Sequence, residues 1–197
     1  MTNHTKIKVK SKYSFYPVTK ENWKDFENLF GEKGACAGCW CMYWRLRRKD
    51  YDNLRGTGTK KKMKGLINKG IVPGILTYDD KQPIGWCSVA PREDFLVLDN
   101  SRVLKRIDEK PVWSIVCFYI NKNYRKKGIT IELINAVKKY VKDNKGTIIE
   151  GYPVEPKTGK TADVFAWTGL ASAFRKAGFK EVERRSETRP IMRFVLP

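Results

Sequence analysis

The sequence predicts an α+β protein, a sheet of strands flanked by helices, and three features say so. Val112 to Ile120 is apolar throughout and lacks polar alternation, as in a strand buried on both faces, and it is too short to span a bilayer. From Thr130 onward Ile131, Ile134, Val137 and Val141 recur at helical spacing, with Glu132, Lys138, Lys139 and Lys142 on the other faces. Gly74 to Tyr78 and Pro83 to Val89 read as two further strands, joined by Asp79-Asp80-Lys81-Gln82 as a hairpin.

The remaining elements follow in chain order. Tyr13 to Val18 alternates as a first strand does, and Thr19 with Asn22 marks the entry to a helix containing Trp23, Phe26, Leu29 and Phe30. A second helical stretch covers about Lys60 to Asn68 and is closed by Gly70 and Pro73-Gly74. Gly56-Thr-Gly58-Thr-Lys60 has no apolar strand before it, so a loop is expected there. Thr147 to Tyr152 forms a strand after the long helix. Thr168 to Ala177 forms another helix, with Thr168 as N-cap and Gly178-Phe179 as the C-terminal stop. Lys180 to Arg185 and Pro190 to Leu196 close the chain as strands.

The link between the apolar strand and the long helix carries the chemistry. Asn121-Lys-Asn-Tyr-Arg-Lys-Lys-Gly-Ile-Thr130 is a basic, glycine-punctuated turn that opens a helix. At a helix start the first N–H groups lack intrahelical acceptors and the macrodipole is positive, so main chain alone can hold a phosphate. Gly128 allows close approach of a ligand to the backbone, and Arg125, Lys126 and Lys127 add positive charge around it. The P-loop spacing is missing.

Arg125-x-x-Gly128-x-Thr130 after an apolar strand resembles the pyrophosphate loop of the GNAT superfamily, the acyl-coenzyme A-dependent N-acyltransferases. Thr130 departs from the Gly or Ala usual at that position. The resemblance covers roughly residues 13–195 and implies a GNAT-like fold: a mixed, mostly antiparallel sheet, splayed between its fourth and fifth strands. It implies acetyl-coenzyme A as co-substrate, with Arg125, Lys126, Lys127, Gly128, Ile129 and Thr130 around the diphosphate. The pantetheine arm would pair with free backbone groups of Phe118, Tyr119 and Ile120, and Pro153 would help the two strands part. Phe174 stands against the cofactor where the family usually has a Tyr that protonates the leaving thiolate. The region between the first two helices often walls the acceptor site in this family, which points to Trp40, Tyr43, Trp44 and Arg45. Arg92 is a candidate partner for an acidic group on the acceptor.

Proton handling is narrowed by what is missing. His4 is the only histidine, so a histidine triad or a histidine-rich metal site is excluded. An alkyl ammonium with a pKa near 10.4 must lose a proton before it attacks a thioester. Glu150, expected in an apolar setting on the fifth strand, is the candidate base, with Glu155 and Asp163 in reserve. Tyr152 or Tyr119 could donate in place of the missing Tyr. Cys36-x-x-Cys39-x-Cys41 could ligate zinc if Cys87 or Cys117 came close, but a second Cys-x-x-Cys pair is missing, so a thiol and aromatic cluster packed on the sheet is expected, with no metal. Cys117 lacks a histidine to activate it as a nucleophile.

A chain of 197 residues without a Pro- or Ser-rich linker is expected to fold as one domain over residues 13–197, behind a basic tail at 1–12. That tail has no apolar leader region, and the odd count of five cysteines fits reduced thiols, so a cytosolic protein is expected. The formal charge of +19 exceeds what one coenzyme A needs. It keeps a nucleic-acid-binding module as an alternative, although zinc-finger and RRM signatures are missing. A coenzyme A sensor without turnover is a further alternative. The expected reaction is acetyl transfer from acetyl-coenzyme A to a primary amine by direct attack in a ternary complex. The acceptor would be a small molecule or a peptide, and the protein a monomer or homodimer with no membrane partner.

Overall fold

Burying both faces of the apolar run from Val112 requires strands on either side of it and helices above and below, and the computed structural model has that arrangement. It describes residues 5–158 and 165–197. The strands are β1 (Ser14–Pro17), β2 (Gly74–Asp79), β3 (Gln82–Pro91), β4 (Trp113–Ile120), β5 (Ile148–Gly151), β6 (Lys180–Arg184) and β7 (Pro190–Val195). They form one sheet in the spatial order β1-β2-β3-β4-β5-β7-β6. Every neighbouring pair is antiparallel except β4 and β5.

The parallel pair is short. Only Trp113, Ser114 and Ile115 are in register with Ile149, Glu150 and Gly151. Just beyond, the register of β3 against β4 shifts from Val89↔Ile115 to Ser88↔Cys117, leaving Val116 as an extra residue. Such a bulge bends its strand and re-aims the neighbouring side chains. On the other side Tyr152 and Pro153 end β5, so the two strands part here.

Helices cover both faces. One face carries α1 (Trp23–Phe30), α2 (Arg48–Leu54), α3 (Thr57–Asn68) and the short α4 (Leu96–Asp99). Here Phe26, Phe30, Trp40 and Trp86 share a core with Val116 and Cys117. The other face carries α5 (Ile129–Asp143) and α6 (Ala171–Lys176), where Leu133, Ile134 and Val137 pack with Phe118 and Phe174. Among the described residues no helix is long and apolar enough to cross a membrane.

Several expected boundaries move, each for a local reason. Asn22 does not cap α1 with its side chain; its Oδ1 accepts from Thr19 N–H at 2.8 Å and its amide donates to Pro17 C=O at 3.1 Å. The expected loop at Gly56 to Lys60 is instead the start of α3. Gly56, at φ +88, turns the chain, and Thr59 Oγ1 donates to Gly38 C=O at 2.7 Å. Helix α6 starts three residues later than expected because Thr168 is buried and accepts from Arg189 Nη1 at 3.1 Å rather than capping. Helix α2 was unread because Tyr51 is its only buried residue, which leaves no stripe in the sequence. Ile7 is buried and its N–H donates to Phe15 C=O at 2.9 Å, so the chain is already docked before Tyr13.

Candidate active site

A cleft of about 1260 Å³ opens where β4 and β5 part. One end is formed by Arg125, Lys126, Gly128, Ile129 and Thr130, its middle by Cys117 to Ile120 of β4, and its far wall by Cys36, Cys41, Tyr43, Trp44 and Tyr51. A second hollow, of about 240 Å³ between Tyr16, Asp25 and Tyr78, is too small for a nucleotide.

The end at Gly128 has the features that main-chain anion binding needs. Gly128 sits at φ +79, and a Cβ added there would meet nothing within 4 Å, so open space lies over its backbone. Ile131 and Glu132 N–H return to Gly128 C=O at 2.9 and 3.4 Å, and no side chain caps the helix. A 15-residue helix therefore points its N-terminus at the cleft. Arg125 Nε donates to Ile120 C=O at 3.2 Å and ties the loop to the end of β4. Lys127 is the exception among the expected residues: its ammonium lies 5.0 Å over the Tyr124 ring and it does not line the cleft.

At the split, Phe118, Tyr119 and Ile120 line the cleft as expected, but their backbone is not all free. Phe118 N–H donates to Trp167 C=O at 2.6 Å. Val154, beyond the end of β5, donates to Gly169 C=O at 2.9 Å and accepts from Ala171 N–H at 3.0 Å. The segment from Trp167 to Ala171 thus satisfies donors on both sides of the gap, as buried N–H groups require. A ligand arm that pairs with Phe118 must take that donor over from Trp167.

The family model described as Acetyltransferase (GNAT) family matches residues 40–153, more than half of the chain and the whole of β2 to β5. The chain belongs to the GNAT acetyltransferase family. Solved structures agree on the fold. The chain resembles yncA of Salmonella typhimurium, solved with its cofactor acetyl-CoA, with TM-score 0.55, 8% identity and coverage of 95% of each chain. It resembles the ribosomal-protein-S5-alanine acetyltransferase from Vibrio fischeri, with TM-score 0.54, 12% identity and coverage of 98% of this chain and 97% of that one. It resembles paia N-acetyltransferase from Thermoplasma acidophilum in complex with coenzyme A, with TM-score 0.52, 14% identity and coverage of 93% and 98%. No curated protein matches by sequence. As a GNAT protein it is an acetyl-coenzyme A-dependent acyltransferase.

In this GNAT chain Glu150 and Tyr152 lie outside the lining of the cleft. The apolar setting expected for Glu150 is in fact ionic. Its Oε1 accepts from Arg92 Nη1 at 3.0 Å and from Tyr152 OH at 2.6 Å, and its Oε2 from Arg193 Nε at 2.6 Å. Tyr152 OH also lies 2.8 Å from Ser114 Oγ, and burial first, then the Glu150 charge, pushes its pKa well up. Arg92, expected to meet an acceptor, is 2% exposed and occupied by Glu150, Tyr152, Asp99 and the Leu104 carbonyl. Glu155 is bound by Arg175 and Arg184. His4 and Asp163 lie outside the described residues.

The four residues expected to wall the acceptor divide into a lining and a support. Tyr43 and Trp44 line the cleft, with Tyr51 and Trp167 edge-on to Tyr43 at 5.4 and 5.5 Å. Trp40 is buried beneath, stacked on Phe30 at 5.6 Å, and Arg45 pairs with Asp94 at 2.9 Å. Phe174 is also enclosed, edge-on to Phe118 and Phe179 at 6.1 and 5.1 Å, and stands off the cleft. No group of three potential metal ligands gathers among the described residues. The cysteines instead gather on the sheet: Cys41 and Cys117 belong to one buried cluster and both line the cleft, and Trp86 Nε1 donates to Cys41 Sγ at 3.2 Å. That convergence joins residues 76 apart in sequence, and no spacing signal announces it.

Proposed function

We propose that this protein moves the acetyl group of acetyl-coenzyme A to the primary amine of a small molecule or peptide. The observation that carries the proposal is the continuity of one cleft from the uncapped start of α5, along Cys117 to Ile120 of β4, to an aromatic wall. The diphosphate rests on the amides around Gly128 with Arg125 and Lys126 beside it, and Ile129 and Thr130 form the first turn beneath. The pantetheine arm runs along Phe118, Tyr119 and Ile120. The acceptor enters against Tyr43, Trp44 and Tyr51, whose rings favour an amine bearing positive charge or apolar groups. Thr130 costs nothing in this arrangement because the contact needed is its main-chain N–H.

Glu150 and Tyr152, with Arg92, serve as positioning residues that fix β4 and β5 where they separate. Among the described residues no carboxylate lines the cleft, so direct attack by the amine would rely on another group for its proton. The test is a thermal shift with acetyl-coenzyme A, followed by thiol release across a panel of amines. Ligand at a hundredfold its dissociation constant should add about 2.7 kcal/mol. That corresponds to a shift of a few degrees for a domain of this size. No shift at millimolar ligand sinks the reading.

A further inference from the structure

We propose that the acceptor is an amine that also carries an anionic group, a carboxylate or a phosphate, and that Arg55 anchors that group, with Arg48 as a second cation. The inference rests on the acetyl-coenzyme A reading above and names the class of molecule that receives the acetyl group. Among the described residues the charged side chains that line the cleft are Arg48, Arg55, Arg125 and Lys126, and all are positive. Arg125 and Lys126 stand at the start of α5, where the diphosphate of the carrier accounts for them. Arg48 opens α2 and Arg55 follows it. Helix α2 packs through Tyr51 on one face of the sheet and α5 packs on the other, so a single diphosphate at α5 does not use both pairs.

Arg55 is fixed rather than loose on the surface. Its Nε and Nη2 both donate to the Ala37 carbonyl, at 3.2 and 3.1 Å, and its guanidinium lies 5.9 Å from the centre of the Tyr51 ring. Nη1 is left without a hydrogen-bond partner among the described residues. The carbonyl is neutral and no described carboxylate pairs with Arg55, so its charge is uncompensated. The loop that presents Ala37 is itself pinned. Gly56 N–H donates to Gly38 C=O at 3.0 Å, Thr59 Oγ1 donates to the same oxygen at 2.7 Å, and a Cβ on Gly38 would lie 2.6 Å from Gly56 N. Ala35 and Ala37 are non-glycine residues at φ +66 and φ +47. Strain of this kind persists only where the surroundings hold it, and here it accompanies the carbonyl that grips the arginine. A guanidinium fork fixed in advance loses little freedom when it takes an anion. Arg48 is the weaker partner: its side chain is 71% exposed and its Nε is on Asp52 at 2.8 Å, so its charge is partly met and screened.

The aromatic wall suits the rest of such a molecule. Arg55 already supplies a cation over the Tyr51 ring, which is 7% exposed. Tyr43, Trp44 and Trp167 remain, with Trp167 tilted on Trp44 at 5.6 Å and edge-on to Tyr43 at 5.5 Å. Trp44 is tied to β4 through its Nε1, which donates to Val116 C=O at 3.1 Å. These rings take the carbon chain between the anionic end and the nitrogen. A dication fares badly in the same place, because two guanidinium groups repel it and no described carboxylate lines the cleft to receive it. Pairing the anion with Arg55 also removes the internal counter-charge that keeps the acceptor's ammonium protonated. The arginines thereby favour the neutral amine that attacks a thioester.

Thiol release from acetyl-coenzyme A tests this with amines of equal chain length that end in a carboxylate, a phosphate, a neutral amide, a methyl group or a second amine. In kcat/KM the carboxylate or the phosphate should exceed the amide and the methyl by about tenfold or more, with the diamine last. Whichever anion leads identifies the group. Calorimetry of the same amines on protein saturated with coenzyme A gives the ranking without turnover. Arg55→Gln should cut the ratio of anionic to amide acceptor about tenfold. Arg55→Lys should retain part of that ratio, and Arg55→Glu should move the preference toward the diamine. Each ratio is internal to one protein sample, so loss of folded material does not enter it. A ranking, by rate or by binding, in which the amide or the diamine equals or exceeds both anions overturns the anchor and leaves the transferase reading standing. An unchanged ratio in Arg55→Gln overturns it too, and failure to bind acetyl-coenzyme A overturns both readings.

Discussion

Arg92 Nη1 donates to Glu150 Oε1 at 3.0 Å, with side-chain exposures of 2% and 1%. The pair lies beside the last residues that β4 and β5 share, Ser114 facing Glu150 and Ile115 facing Gly151. Arg193 closes the other carboxylate oxygen at 2.6 Å and reaches on to Asp108 at 2.7 Å, and Arg92 reaches Asp99 at 2.8 Å. One buried carboxylate therefore ties the stretch from Asp99 to Asp108 to β5, to β7 and to the turn after β3. Glu150→Gln removes the carboxylate that both guanidinium groups share but leaves Arg92 on Asp99 and Arg193 on Asp108, so the cost should fall below the about 3–5 kcal/mol of breaking an isolated buried pair. Chemical denaturation measures that loss. The pH profile of turnover should keep its shape, and a lost limb would return Glu150 to the role of base.

Gly128→Ala separates ligand effects from fold effects. The new Cβ meets no protein atom, so the protein cost is confined to the left-handed backbone at φ +79. That cost is about 1–3 kcal/mol. The methyl group would stand where the diphosphate approaches, so the dissociation constant for acetyl-coenzyme A should rise roughly tenfold or more, the loss of about one charge-assisted hydrogen bond. Titration calorimetry and thermal melting of the same sample check both halves.

Phe174→Tyr tests whether the family's missing hydroxyl can be restored. The ring is fully buried, and Gly151 leaves it so little space that a Cβ there would lie 2.1 Å from Phe174 Cε1. An added oxygen in this packing should destabilise by about 1–3 kcal/mol. The rate should change less than tenfold, because the ring does not reach the cleft. Steady-state kinetics and melting decide it, and a far larger gain in rate would show that a proton donor was limiting.

Acid should weaken the clasp between α6 and β6. Hydrogen bonds from Arg175 and then Arg184 lower the Glu155 pKa from 4.5 to about 2. A carboxylate with a depressed folded pKa contributes stability above its unfolded pKa and loses it as pH falls through the folded one. The window here is from about 4.5 down to about 2. Glu155→Gln should flatten that part of the stability curve, measured by urea unfolding at a series of pH values. The contribution is screened by salt, since the partners are partly exposed.

Much of this molecule is legible in short windows of sequence. The Val112 to Ile120 run, the hairpin across Asp80, the basic glycine turn and the helix after it all come from local pattern, because burial on two faces, a tight turn and an amphipathic stripe each leave a periodic mark. The site around the cleft is less legible. Arg125, Lys126, Gly128, Ile129 and Thr130 were found because a motif is contiguous. Tyr51, Arg48, Arg55 and Trp167 also line the cleft and were missed, for they belong to an unstriped helix, the turn after it and an irregular segment.

By itself the sequence determined the central strands of the sheet and the glycine turn that opens α5, since backbone geometry and hydrophobic period are properties of neighbouring residues. Only the tertiary structure decided which charges and thiols meet. It withdrew Glu150 into a cage of arginines, took Arg92 away from the surface and set Cys41 against Trp86. Those outcomes depend on distances between elements far apart in the chain, where desolvation and a single hydrogen bond outweigh anything that residue type alone can announce.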